Sequence, residues 1–257
     1  MIKAAFLDID GTVYSHFSAS VPDSAFAAFS AARKKGVKLF GCTGRHMAEL
    51  KSMNLDTLPF DGWVLVNGAR CIAAGKVIRQ KPISGHDLQV LMRELQKDPF
   101  PVIFLSEEDM FLNMASEKVL KDLDSIHTPL PPIRQMDADA DILVQVIPYI
   151  DDERWHHIEQ QMKEVRSVSW GGGALDVFHK DAGKDKGMEA IMDHYGFAKD
   201  EVLAVGDGPN DLACARAAGH MAAMGNADAG LKNISEYIGR HIDEDGLWDI
   251  FSHYGLI

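Results

Sequence analysis

The chain has 257 residues, of which 46% are hydrophobic and 25% charged, and a formal net charge of −12 at pH 7. That length allows a full core plus a smaller second unit, and the acidic balance argues against a nucleic-acid groove or an anionic membrane surface as partner. Cys42, Cys71 and Cys214 show no paired spacing, which argues against a disulfide framework or a zinc site.

The first predicted element is a buried parallel strand over Ala4-Ala5-Phe6-Leu7, a short apolar run that ends on Asp8-Ile9-Asp10-Gly11-Thr12. Carboxylates at i and i+2 repel each other. A strand ending this way asks for a cation or a proton between them, unless the Asp-Gly pair only makes a turn. This motif begins too early in the chain for a signal peptide to precede it, and no run reaches membrane-span length. A reducing, cytoplasmic setting is the resulting expectation.

Pro22-Asp23-Ser24 has the form of a helix start, with Phe26 to Lys35 helical and Gly36 as the stop. Val37 to Gly41 forms a second strand leading into Thr43-Gly44-Arg45. A hydroxyl and free backbone N–H groups at a strand-to-helix junction make an anion cradle, although the same residues serve as ordinary N-caps. A helix is expected from His46, then a third strand over Gly62 to Val66 ending at Asn67-Gly68-Ala69. The β-α-β-α-β order predicts an α/β fold with a doubly wound, Rossmann-like parallel sheet.

The texture changes near Pro82. Helices are expected over Gly85 to Gln96, Ser116 to Leu123 and Asp151 to Val165. Strands are expected over Val102 to Leu105, Ile142 to Ile147 and Ser167 to Trp170, with a proline-rich loop at Pro129-Leu130-Pro131-Pro132. The α/β rhythm resumes with a helix from Lys186 to Tyr195, a strand over Val202 to Val205, a short helix near Leu212 to Ala218 and a strand over Met221 to Met224. One domain interrupted by another is the result: a core of 1–82 and 180–257, and an inserted α+β unit of 83–179.

Two further clusters carry chemistry. Lys184-Asp185-Lys186-Gly187 puts lysine at a helix start, where the dipole disfavours cations unless an anion is bound; a solvated lysine is the plainer reading. Gly206-Asp207-Gly208-Pro209-Asn210-Asp211 puts two more acids and an amide after an apolar strand. Strand ends one and four would bring Asp8, Asp10, Asp207 and Asp211 together. That all-oxygen cluster suits Mg2+, with Thr43, Lys186 and Asn210 as donors for phosphoryl oxygens.

These four motifs, in this order, resemble the haloacid dehalogenase superfamily of phosphohydrolases: Asp8-Ile9-Asp10-Gly11-Thr12 its first, Thr43-Gly44-Arg45 its second, Lys186 its third and the Gly206 to Asp211 run its fourth. Asn67-Gly68-Ala69, Met224-Gly225-Asn226-Ala227 and an α/β (type IIB) cap between the second and third motifs resemble its Cof-type sugar-phosphatase branch. The resemblance implies Asp8 as nucleophile, Asp10 as general acid then base, and Mg2+ on Asp8, the Asp10 carbonyl and Asp207. It also implies a phosphate site of Thr43, the Gly44 N–H, Lys186 and Asn210. Asp211 either meets the metal through water or orients Lys186. Lys184 competes for the lysine role, but Gly187 directly follows Lys186 at the helix start, as in the family. Arg45 reaches substrate or makes a surface ion pair. Specificity is expected in cap loops that include Trp170 and Gly171-Gly172-Gly173.

The implied activity is Mg2+-dependent hydrolysis of a small phosphorylated metabolite, sugar phosphates foremost, with no nucleic-acid or membrane partner and no indication of oligomeric state. A phosphomutase, or a phospho-accepting or sugar-phosphate-sensing protein without turnover, is the alternative. Adjacent His156-His157 face different ways on a helix, and the acidic runs Asp137 to Asp141 and Asp243 to Gly246 lack the full pattern of a calcium loop.

Overall fold

The computed structural model describes residues 1–107, 109–125, 128–137, 141–169 and 172–257. They divide into two compact units, one of Met1–Gly44, Leu58–Arg79 and Gly183–Ile257, the other of Arg45–Thr57 and Gln80–Ala182. The segment 45–57, expected with the core, thus clusters with the second unit.

The first unit begins with β1 (Ala4–Leu7), α1 (Asp23–Lys34) and β2 (Lys38–Cys42). The chain passes through α2 (Met47–Ser52), which belongs to the second unit, and returns for β3 (Gly62–Leu65), β4 (Arg70–Ala73) and β5 (Lys76–Gln80). All four residues of β1 are buried, the signature of a strand covered on both faces. It pairs in parallel with β2, Phe6 opposite Phe40, and their rings stack with centroids 4.8 Å apart. β3 continues the parallel order beside β2. β4 then runs antiparallel to β3. Sequence reading missed β4 and β5. Their connection at Ala74-Gly75 has both residues at positive φ, as a tight hairpin needs, but lacks the Asn-Gly or Asp-Gly pair that announces one.

The second unit contains α3 (Gly85–Lys97), β6 (Val102–Ser106), β7 (Met110–Leu112), α4 (Glu117–Ser125), β8 (Leu143–Pro148), α5 (Asp152–Glu159), β9 (Val165–Ser169) and β10 (Leu175–His179). Its sheet has the order β7-β6-β8-β10-β9 with antiparallel neighbours throughout. Leu88 and Leu91 of α3 and Trp155 and Ile158 of α5 pack on Phe104, Val146 and Val177. α5 stops at Glu159 rather than Val165 because Val165 already pairs with His179 as the start of β9. A buried carboxylate ties α3 to that turn: Asp87 accepts the backbone N–H groups of Lys163 and Glu164 at 2.8 and 2.9 Å. Trp170 and Gly171, and Asp139 of the acidic run, lie outside the described residues.

The chain re-enters the first unit through α6 (Lys184–Tyr195), β11 (Val202–Gly206), α7 (Cys214–Ala217), β12 (His220–Ala223), α8 (Ala229–Ile234), β13 (Tyr237–Ile238) and α9 (Gly246–His253). α6 starts at Lys184, two residues before the expected start. Met188, Ile191 and Met192 of α6 lie in one apolar cluster with Phe6, Phe40 and Val64. The full strand order is β13-β12-β11-β1-β2-β3-β4-β5. From β1, the strands that follow in sequence go to one side and those after the insertion go to the other. The order therefore reverses at β1 and β11, where open α/β sheets leave a crevice at the carboxyl ends of the strands. Leu7 pairs with Val205, so Asp8 and Asp207 emerge side by side.

Candidate active site

Asp8 leaves β1 with its N–H on the Val205 carbonyl at 2.9 Å, and is 6% exposed. The chain then folds back tightly, since Thr12, Val13 and Tyr14 all donate N–H groups to the Ile9 carbonyl. Gly11 sits at φ +73, and a Cβ there would overlap the Asp207 carboxylate. Only glycine allows that approach. From the other side, Asp211 clamps the turn after β11: its Oδ2 accepts N–H groups of Asp207 and Gly208, both at 3.1 Å.

The lysine that meets these acids is Lys184. Its Nζ lies 2.6 Å from Asp8 Oδ1 and 2.7 Å from Asp211 Oδ1, with the ammonium side chain 1% exposed. Lys186, the expected phosphate ligand, is exposed and bonds Glu189 at 2.9 Å. Residues two apart on a helix point about 200° apart, so only one of the pair can face the strand ends. Gly187 does not choose between them. A Cβ there would strike the Val64 side chain and crowd Cys71, so this glycine lets α6 lie close to the sheet. Of the two lysines, the one in contact with Asp211 is Lys184 rather than Lys186.

Carboxylate oxygens of Asp8, Asp207 and Asp211 come within 4.8 Å of one another. Three acids share one buried ammonium, and their electrostatics show the deficit. Burial, and then the Asp211 charge, push Asp8 well above the ordinary carboxylate range despite Lys184. Burial, then Asp211, push Asp207 up to about 6. Burial alone would lower Lys184, but Asp211 and Asp8 outweigh it and hold the ammonium well above its usual value. An all-oxygen set short of positive charge fits a hard divalent cation.

Asp10 stands apart from that trio. Its carboxylate is 33% exposed and receives His16 Nε2 at 3.0 Å. Thr43 is 1% exposed, donating its N–H to the Val64 carbonyl at 2.8 Å. Gly44 lies against the Asn67 amide. Val66 and Asn67 both have left-handed backbones, φ 51 and 49, a strained arrangement of the kind that clusters at functional loops. Asn210 is exposed on the Asp211 turn. Arg45 falls in the second unit and is 8% exposed, 3.8 Å from Glu49, so it is not a surface ion pair.

Asn226, which the sequence offers only within the Met224-Gly225-Asn226-Ala227 stretch, lies beside Gly11 and Asp207. Its Nδ2 donates to the Gly11 carbonyl at 2.7 Å and approaches Asp207 Oδ2 at 3.4 Å, while its Oδ1 accepts the Ile242 N–H at 3.0 Å. Thr12 Oγ1 donates to Asp207 Oδ1 at 3.5 Å. The available signal for Asn226 was its position just after β12, at the same sheet edge.

Residues 5–251 match the family model of haloacid dehalogenase-like hydrolases. YkrA of Bacillus subtilis (strain 168), which carries a provisional phosphatase name, is 27% identical over 256 residues, covering 99% of this chain and 98% of its own. The subclass IIB sugar phosphatase BT4131 has a solved structure that superposes with a TM-score of 0.83 at 32% identity, covering 99% of this chain and 100% of that one. The phosphatase BT1666 from Bacteroides thetaiotaomicron gives 0.88 at 28% identity, covering 100% and 96%. Among the described residues, no helix is long and apolar enough to cross a membrane.

Proposed function

Because the chain belongs to the haloacid dehalogenase-like hydrolases and is a phosphatase of that family, we propose that it hydrolyses small phosphorylated metabolites, sugar phosphates foremost, through a phosphoenzyme formed on Asp8. The observation that carries this reading is the convergence of Asp8, Asp207 and Asp211 around Lys184 at the switch point of the sheet.

In this reading Asp8 attacks phosphorus in line. The Asp8–phosphorus bond forms as the ester P–O bond breaks, and Asp10 gives its proton to the leaving oxygen. Asp10 then takes a proton from water as that water attacks phosphorus, the phosphoenzyme bond breaks, and Asp8 and orthophosphate are released. Lys184, Thr43, the Gly44 N–H and Asn210 bind the transferring phosphoryl group, and Asp211 holds Lys184 in place. Asp8, Asp207 and the Asp10 carbonyl would hold Mg2+, which supplies charge neutralisation between nucleophile and phosphate. The sugar-phosphate preference rests on BT4131, whose name gives that substrate class.

The test is orthophosphate release from a panel of sugar phosphates and an aryl phosphate. Turnover lost in EDTA and restored by Mg2+, with no phosphoenzyme in Asp8→Asn, supports the reading. Full activity in EDTA, or undiminished labelling of Asp8→Asn, overturns it.

A further inference from the structure

We propose that the Asn67 amide is a further ligand of the phosphoryl group, an inference that rests on the reading of Thr43, the Gly44 N–H and Lys184 as its binding groups. The loop after β3 is wedged between those elements. The Asn67 N–H donates to the Thr43 carbonyl at 3.1 Å, and the amide Nδ2 and Oδ1 each lie 3.3 Å from the place a Gly44 Cβ would take. On the other side Gly68 packs so closely that a Cβ on it would overlap the Gly183 carbonyl, and Gly183 directly precedes Lys184 at the start of α6.

The backbone here carries a cost that closing a loop does not explain. Val66, Asn67 and Gly68 are left-handed in succession, with φ 51, 49 and 85. Glycine adopts that region freely and asparagine tolerates it, but a β-branched valine is strained there, and such strain gathers at ligand sites. The Asn67 side chain adds a second cost. Its Oδ1 is buried without a hydrogen-bond partner among the described residues, although the residue as a whole is only half-buried. A glycine at 67 would make the same turn and leave no orphaned atom. What the amide adds is its other end. With the carbonyl sealed in, the NH2 group is the end on offer, and a donor is what an anion takes. A phosphoryl group presents several oxygens at once, so one can meet the Gly44 N–H while its neighbour meets the Asn67 amide.

Inorganic phosphate is titrated calorimetrically into the protein with Mg2+ present, and kcat/KM is measured with p-nitrophenyl phosphate and with the best sugar phosphate of the panel. In Asn67→Gly, which keeps the left-handed turn, phosphate affinity falls about 10–100-fold, the worth of a hydrogen bond to a charged group, and kcat/KM falls by a similar factor for both esters. Asn67→Asp keeps the shape and the tolerance for that backbone but replaces the donor with an anionic acceptor, and it binds phosphate more weakly still. Unchanged phosphate affinity in Asn67→Gly, a loss confined to the sugar phosphate, or an Asn67→Asp that binds phosphate as the parent does overturns the proposal. Urea unfolding tells a ligand from a brace: the midpoint of Asn67→Gly stays at the parent's or rises, and a fall that accompanies the lost affinity assigns Asn67 to the loop's structure and overturns the proposal. Thr43→Val separates this from the underlying reading: if it binds phosphate as the parent does, the Thr43-Gly44 cradle falls and the Asn67 proposal with it. If Thr43→Val binds phosphate weakly and Asn67→Gly binds it as the parent does, only the role of Asn67 falls.

Discussion

Replacing Lys184 by methionine removes the ammonium bonded to Asp8 and Asp211 and keeps the aliphatic volume. Its Nζ is 2.6 and 2.7 Å from the two carboxylates, whose side chains are 8% and 2% exposed. Without it, two buried anions whose oxygens lie within 4.8 Å of each other repel by about 3.5 kcal/mol or more at an effective dielectric constant of about 20. The alternative is to protonate one of them. At pH 7 that costs about 4 kcal/mol for a carboxyl with an ordinary value near 3.9, and about 1.5 kcal/mol at pH 5. Both routes give similar figures at neutrality, in line with the cost of breaking a buried pair. The sign follows from linkage: a carboxyl whose folded value lies above its unfolded one takes up a proton on folding, so its penalty shrinks as pH falls. Urea unfolding in EDTA should therefore show Lys184→Met destabilised by about 4 kcal/mol at pH 7 and about 1.5 kcal/mol at pH 5. Phosphatase turnover should fall by about 10²–10³-fold, the loss typical of one oxyanion donor. Lys186→Met should move neither the unfolding midpoint nor turnover. A destabilisation independent of pH, or a larger loss of turnover in Lys186→Met than in Lys184→Met, would refute this account of the cluster.

Asp207, held at about 6 in the metal-free protein, must lose its proton to ligate a cation. The apparent affinity for Mg2+, measured by titrating turnover, should then be about tenfold weaker at pH 5 than at pH 7, and a pH-independent affinity would contradict the assignment. Asn226→Ala removes the amide that braces Gly11 and Asp207 and should weaken Mg2+ binding by about 10–100-fold, with little loss of kcat at saturating metal. In the second unit, burial alone would raise Asp87, but hydrogen bonds from His86, the Lys163 and Glu164 N–H groups and Ser84 hold it below the usual range. Asp87→Asn should cost about 2–3 kcal/mol in urea unfolding at pH 7. The parent loses that advantage as pH falls through the lowered value, so the difference should vanish at strongly acid pH; a difference unchanged there would contradict the assignment.

The parallel core was legible because Ala4 to Leu7, Val37 to Gly41 and Val202 to Val205 are apolar runs of strand length, each ending in residues unsuited to a core. The acid motifs were legible for the same reason: Asp8 and Asp207 follow such runs directly. In the inserted unit β10 went unread. Leu175 to His179 is short and interrupted by Asp176, and its partners Val165–Ser169 and Leu143–Pro148 are joined to it only by the tertiary pairing of the sheet. The same pairing, not local propensity, ends α5 at Glu159.

The sequence by itself determined which strand ends carry carboxylates and in what order they occur, because burial and chain direction leave their mark in single runs of residues. It favoured Lys186 over Lys184 on the following glycine alone, and gave Asn226 no place in the site. Both lysines fit the start of α6, and the choice depends on the face that Met188 and Ile191 turn toward the sheet. Asn226 acts through hydrogen bonds to Gly11 and Asp207, contacts that arise from how the backbone turns in space. Helix rotation and loop closure are set by packing across the fold, and packing decided both.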